Sequence, residues 1–95
     1  MAIPVTTATH FQIPAQVHAR RFDDELVVLH LGVGEYFSLD PVGSTIWDQL
    51  AGGKTAEEAV AILLAEYDVD ELTARTDVER LANELVAAGL LEASG

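Results

Sequence analysis

The sequence predicts an α+β domain in which an N-terminal three-stranded antiparallel sheet is followed by three α-helices. Two observations carry this. The hydrophobic period is about two residues up to Leu39 and about 3.6 after Pro41. Ninety-five residues, 49% of them hydrophobic, suffice for one core, and the connections between segments are too short to hold sheet and helices apart.

In chain order, residues 1–16 read as a loose arm, 17–91 as the folded domain and 92–95 as a tail. Val17–Phe22 is the first strand, closed by the turn Asp23-Asp24-Glu25. In LVVLHLGVGEYFSLD, residues 26–31 are a run of β-formers, 32–35 can turn, and 36–39 return as the third strand. Leu26, Val28 and His30 point one way along the middle strand while Val27, Leu29 and Leu31 point the other, so both faces of the sheet are largely apolar. One face is the core; the other is expected under the arm or a partner. In the third strand Phe37 and Leu39 alternate with Tyr36 and Ser38. This strand has an aromatic pair, no internal lysine or proline, and only helix expected after it, so its outer edge invites an added strand.

Asp40 before Pro41 is an N-cap followed by a first-turn proline, and Val42, Ile46, Trp47 and Leu50 then form one stripe until Gly52-Gly53 ends the helix. Thr55-Ala-Glu-Glu58 matches a capping box and opens the second helix, with Ala59, Val60, Leu63, Leu64 and Tyr67 facing inward. Asp70 caps a longer third helix whose Val78, Leu81, Ala82, Leu85 and Val86 recur at three- and four-residue spacing. Gly89 stops it, with Leu90 placed to fold back on Leu85 in a Schellman motif.

Charge and composition exclude several function classes. The net charge is −11, and all sixteen acids lie in residues 23–95, where they face only Lys54, Arg75 and Arg80. Such a field repels phosphate backbones and anionic lipid. The absence of cysteine removes disulfides, thiolate metal sites, iron–sulfur clusters and a thiol nucleophile. No apolar run is long enough to span a membrane and the N-terminus lacks the features of a secretory signal, so a cytoplasmic location is the default expectation. His10, His18 and His30 are too widely spaced for a metal site, and no serine lies in a nucleophile elbow. GGKT echoes the end of a Walker loop without its upstream glycine, and Thr55 is already engaged as a cap. Neither a catalytic constellation nor a cofactor site is expected.

The stretch GEYFSLDPVGSTIWDQLAGGKTAEEAVAILLAEYDVD, running into DVERLANELVAAGLL, resembles the pyrroloquinoline quinone biosynthesis protein D (PqqD) family. The matching features are the aromatic pair, Leu-Asp-Pro in place of the usual Leu-Asn-Pro, Gly43, Ile46-Trp47, Leu50, the Gly-Gly-Lys-Thr turn and the closing Gly89-Leu90-Leu91. The resemblance implies a small winged helix-turn-helix-like domain that recognises the leader of a ribosomally made precursor peptide without catalysis. It would then present the peptide to a separate enzyme, such as a leader peptidase or a radical SAM enzyme, in lasso-peptide or quinone-cofactor biosynthesis. Carried onto this chain, the leader adds as a strand beside Glu35, Tyr36, Phe37, Ser38 and Leu39. Val78, Leu81, Ala82 and Leu85 wall the groove, and Asp77, Arg80 and Glu84 form its rim. For Phe37, Leu39, Leu81 and Leu85, plain core packing is an equally good reading.

Two other classes share these ingredients. A winged-helix DNA-binding regulator needs a basic footprint, whereas the third helix carries Glu71, Asp77, Glu79 and Glu84 against Arg75 and Arg80. An adaptor would use the same sheet edge, or the arm, to form a homodimer. Membrane and nucleic-acid partners are not expected.

Overall fold

The computed structural model describes residues 9–94; residues 1–8 of the expected arm and residue 95 of the tail lie outside the described residues. Strands β2 (Val17–Phe22), β3 (Glu25–His30) and β4 (Glu35–Leu39) form the antiparallel meander in the order β2-β3-β4. The β2–β3 connection is tight because Asp23 adopts the left-handed region at φ 54°, which aspartate tolerates better than most residues. The β3–β4 turn places Gly34 at φ 74° and closes with a 2.8 Å bond from Gly34 N–H to His30 C=O. His30 Nδ1 also accepts from the N–H groups of Gly32 and Val33, at 3.1 and 3.3 Å, so the imidazole organises the turn that it precedes.

Helix α1 (Pro41–Ala51) begins where the sequence places it: Asp40 Oδ1 accepts from Gly43 N–H at 2.7 Å, with proline in the first turn. Helix α2 (Ala56–Glu66) opens on the full capping box, Thr55 Oγ1 accepting from Glu58 N–H and Glu58 Oε1 from Thr55 N–H. Asp70 caps α3 (Glu71–Ala87) by accepting from Thr73 N–H at 2.7 Å. The Schellman ending is present, since Leu90 N–H reaches Leu85 C=O, Gly89 N–H reaches Val86 C=O, and Gly89 sits at φ 76°.

The core lies between the sheet and the helices. Leu26, Val28 and Leu39 from the sheet meet Ile46, Trp47 and Leu50 of α1, Val60 and Leu63 of α2, and Val78, Ala82 and Leu85 of α3. Leu64 departs from its expected inward position and is exposed on α2, because Val60 and Leu63 already fill that interface. Ion pairs bridge the elements at the surface. Arg21 Nη2 donates to both carboxylate oxygens of Asp48 at 2.9 Å, between β2 and α1, and Arg75 reaches Glu57 at 2.8 Å, between α3 and α2.

The described parts of the arm and tail contain secondary structure that their sequences do not suggest. β1 (His10–Gln12) pairs antiparallel with β5 (Glu92–Ser94), so the expectation of only helix after Pro41 is corrected: a short strand follows Leu91. Phe11 is buried in the core and His10 Nδ1 lies 2.8 Å from Gly53 C=O. Three-residue strands are too short to show a period, and this pair joins opposite ends of the chain, so no local signal announces it.

Two measurements check this account. Leu85→Ala removes a side chain with no exposed surface and is expected to cost about 2–5 kcal/mol in a urea melt. The carboxyls of Glu57, Glu58 and Asp70 are held below their ordinary range by hydrogen bonds from Arg75, from Thr55 N–H and from Thr73 N–H respectively. Because these values are depressed on folding, the unfolded chain takes up protons first. Their contribution is therefore complete above the ordinary carboxylate range of about pH 4 and is lost as pH falls through the folded values. Asp70→Asn, which cannot titrate, is expected to lose less stability between pH 6 and pH 3 than the wild type.

Candidate functional site

The meander ends at β4 because Asp40-Pro41 turns the chain directly into α1, and β5 pairs elsewhere. Which β4 groups are left unpaired follows from the register. Leu31 N–H donates to Gln16 C=O on the β2 side at 2.8 Å, so the backbone groups of Leu26, Val28 and His30 face β4 instead. Their cross-strand partners are Leu39, Phe37 and Glu35. The N–H and C=O groups of Tyr36 and Ser38 therefore point to the open edge, and the edge offers alternating donors and acceptors to an incoming extended chain.

Beside this edge lies a groove of about 340 Å³. Leu39, Val42, Ile46 and Leu81 supply its apolar lining, and Ser38, Asp40, Gly43, Asp77, Arg80 and Glu84 complete it, so that its exposed surface is more polar than apolar. The groove thus runs between β4, the first turn of α1 and the middle of α3. Gly43 permits the close approach of α1 to the strand: a Cβ there would stand 3.2 Å from Asp40 Oδ1 and 3.3 Å from Leu39 Cβ. On the rim Arg80 pairs with Asp77 at 3.2 Å, an exposed contact on one helix that is worth little to stability. Asp40 is committed to its cap, and Ser44 Oγ donates to Leu39 C=O at the strand's end.

The structure separates the sequence-derived residues into three sets. Ser38, Leu39, Asp77, Arg80, Leu81 and Glu84 come together in the groove. Val78, Ala82 and Leu85 do not wall it; they have no exposed surface and belong to the core, because the apolar stripe of α3 turns toward α1 and α2 while its flank at Leu81 meets the groove. Phe37 is half-buried against the core, Glu35 is exposed beside the hairpin turn, and the Tyr36 side chain stands on the outer face of the sheet. Sequence reasoning missed Asp40, Val42, Gly43 and Ile46 as groove residues. The one signal available was Gly43, a poor helix former in the first turn of a capped helix, which points to a close approach.

Among the described residues there is no group of three histidine, aspartate or glutamate side chains that could hold a metal ion. No helix of the described chain is long and apolar enough to cross a membrane. What the site offers is backbone hydrogen bonding along one strand edge and a groove of mixed polar and apolar lining, the equipment for holding an extended peptide.

A three-stranded meander followed by three helices, with an edge strand beside a helical groove, defines a small α+β domain. The model of the family described as coenzyme PQQ synthesis protein D (PqqD) matches residues 25–91, and the chain belongs to that family. Among solved structures, TbiB1 in complex with the TbiA(beta) leader peptide superposes with a TM-score of 0.79 at 44% identity, over 85% of this chain and 94% of that one. A lasso peptide synthetase B1 complexed with its leader peptide shares the fold, with a TM-score of 0.78 at 24% identity over 90% and 99% of the two chains. No curated protein sequence matches significantly.

Proline substitution tests the parity of the edge without any ligand. Ser38→Pro removes an N–H that faces outward and is expected to leave the melting curve nearly unchanged. Phe37→Pro removes one that bonds to β3, and should destabilise the fold by about 1–3 kcal/mol. Equal losses in the two variants would mean that the register is wrong.

Proposed function

We propose that this chain is a non-catalytic recognition element that binds the leader segment of a ribosomally synthesised precursor peptide and presents it to a separate processing enzyme. The observation that carries this is the edge of β4, where no described strand pairs with the Tyr36 and Ser38 backbone groups beside Leu39 and Leu81. The leader enters as a fourth strand next to β4. Its backbone supplies most of the affinity, and an apolar side chain seated on Leu39, Val42, Ile46 and Leu81 sets the register. Likeness to two proteins solved with leader peptides supports the reading, and the pathway it favours is of the lasso-peptide type. The enzyme partner is a leader peptidase or another modifying enzyme on a different chain.

DNA binding is the weaker reading. Helix α3 is acidic, and both of its arginines are already paired with carboxylates of this chain, Arg75 with Glu57 and Glu71 and Arg80 with Asp77. Few cations are left to meet phosphates.

Calorimetry with the TbiA(beta) leader and with the leader of the cognate precursor is the direct test. The wild type is expected to bind its cognate leader with no added nucleotide or metal, and equally well after EDTA treatment. Ser38→Pro should weaken that binding by about 1–3 kcal/mol, the scale of one lost hydrogen bond with its partner left unsatisfied. Wild-type affinity in Ser38→Pro would rule out strand addition at this edge, and tight, salt-sensitive binding of random duplex DNA would overturn the peptide reading altogether.

A further inference from the structure

Among the described residues, no element covers the outer face of the sheet, which is largely apolar. Phe22 of β2, Leu31 beyond β3 and Tyr36 of β4 are 56%, 58% and 66% exposed, and Leu29 lies between them. With Val27 they are not scattered: Phe22, Val27, Leu29 and Leu31 line one shallow concavity of about 460 Å³ together with His18 and Arg20. Neither β1 nor β5 covers this face, since they pair with each other, and Phe11 of β1 is spent in the core. A contiguous patch of this kind marks an interaction surface more often than isolated exposed residues do.

Three observations limit what can occupy it. The first is charge. Arg21, Arg75 and Arg80 are all paired with carboxylates of this chain, so that among the described residues Arg20 and Lys54 alone of the five lysines and arginines lack an ion pair. Arg20 sits inside the apolar concavity, beside His18, in a protein of net charge −11. An occupant that brings a carboxylate is matched there, whereas most of the remaining surface repels it. The second is continuity. Ser38, which lines the leader groove, is the cross-strand partner of Val27, which lines the concavity, so an occupant of the outer face abuts a peptide laid along β4. The third concerns self-association. Two copies packed face to face would bring two Arg20 and two His18 side chains into one interface, and no carboxylate lines the concavity to match them.

We infer that the outer face of the β2-β3-β4 sheet is the docking surface for the enzyme that processes the bound precursor, which meets it through an apolar surface carrying a carboxylate opposite Arg20. This rests on the leader-binding reading of the β4 edge, and it assigns recognition of peptide and enzyme to two adjoining surfaces of one sheet. The peptide takes the edge and the enzyme takes the face, so both are held together without competing for the same backbone groups.

Arg20→Glu and Leu31→Ser test the inference, because neither residue lies in the leader groove and both side chains are exposed. The probe is a leader peptidase of the lasso-peptide type that cleaves the cognate precursor, assayed with that precursor. Three quantities are measured for each variant: leader affinity by fluorescence polarisation, association with the peptidase by calorimetry in the absence of leader, and the rate of leader cleavage. Both variants are expected to keep their melting temperature and to bind leader within twofold of wild type, yet to lose at least tenfold in peptidase association and in cleavage. Arg20→Lys should retain most of both. Wild-type association and cleavage in Arg20→Glu and Leu31→Ser would overturn the inference. So would a wild-type dimer, seen by sedimentation velocity, that both variants convert to monomer, since the face would then belong to a second copy. Failure of the wild type to bind leader would count against the proposed function instead, and peptidase association measured without leader would still decide the role of this face.

Discussion

A backbone N–H or C=O on the last strand of a sheet has to be satisfied by water or by another chain, and the rest of this molecule follows from where its sheet stops. Asp40 and Pro41 end β4 in a single step, the aspartate by accepting from Gly43 N–H and the proline by starting the helix with its φ already set. Three helices follow, and then a short strand that pairs with β1. Among the described strands none pairs with the edge at Tyr36 and Ser38, and α1 emerges beside it to become one wall of the groove.

Packing and recognition use different parts of the same helix. The stripe of α3 that holds Val78, Ala82 and Leu85 is buried against α1 and α2, which fixes the helix rigidly; Asp77, Arg80, Leu81 and Glu84 flank that stripe and face the groove. A site built this way gains its geometry from the core at little extra conformational cost, because the residues that would contact a peptide sit on an element that is already ordered. The close approach at Gly43 works in the same sense, letting the first turn of α1 lie near Leu39 where a larger residue would have held it off.

Charge is arranged to leave the sheet as the approachable side. The acids lie in the last three-quarters of the chain and three of the four arginines are paired locally, Arg21 with Asp48, Arg75 with Glu57 and Glu71, and Arg80 with Asp77. Phosphate-bearing partners are repelled by the helical surface, while the outer sheet face combines aromatic and aliphatic side chains with the unpaired Arg20. A winged-helix arrangement that in a basic protein would suit DNA here carries a field that disfavours it.

The sequence by itself determined the elements whose signals are local. The caps at Asp40, Thr55 and Asp70, the Schellman ending at Gly89 and Leu90, and the alternation along residues 26–31 each act over four or five neighbours, and each is found in the structure as read. Half of the candidate site was legible for the same reason: an edge strand with no later neighbour to pair it, and helical spacing that keeps Asp77, Arg80, Leu81 and Glu84 together. Only the tertiary structure decided the rest. The β1–β5 pair depends on contacts between the two ends of the chain, so neither half shows a period of its own. The assignment of Val78, Ala82 and Leu85 to the core, and of Val42, Gly43 and Ile46 to the groove, depends on the rotation of α3 and α1 about their axes, which is set by packing between helices. Helical spacing shows which residues share a face, but the direction in which that face points is fixed by the volumes of the side chains that meet it from other elements.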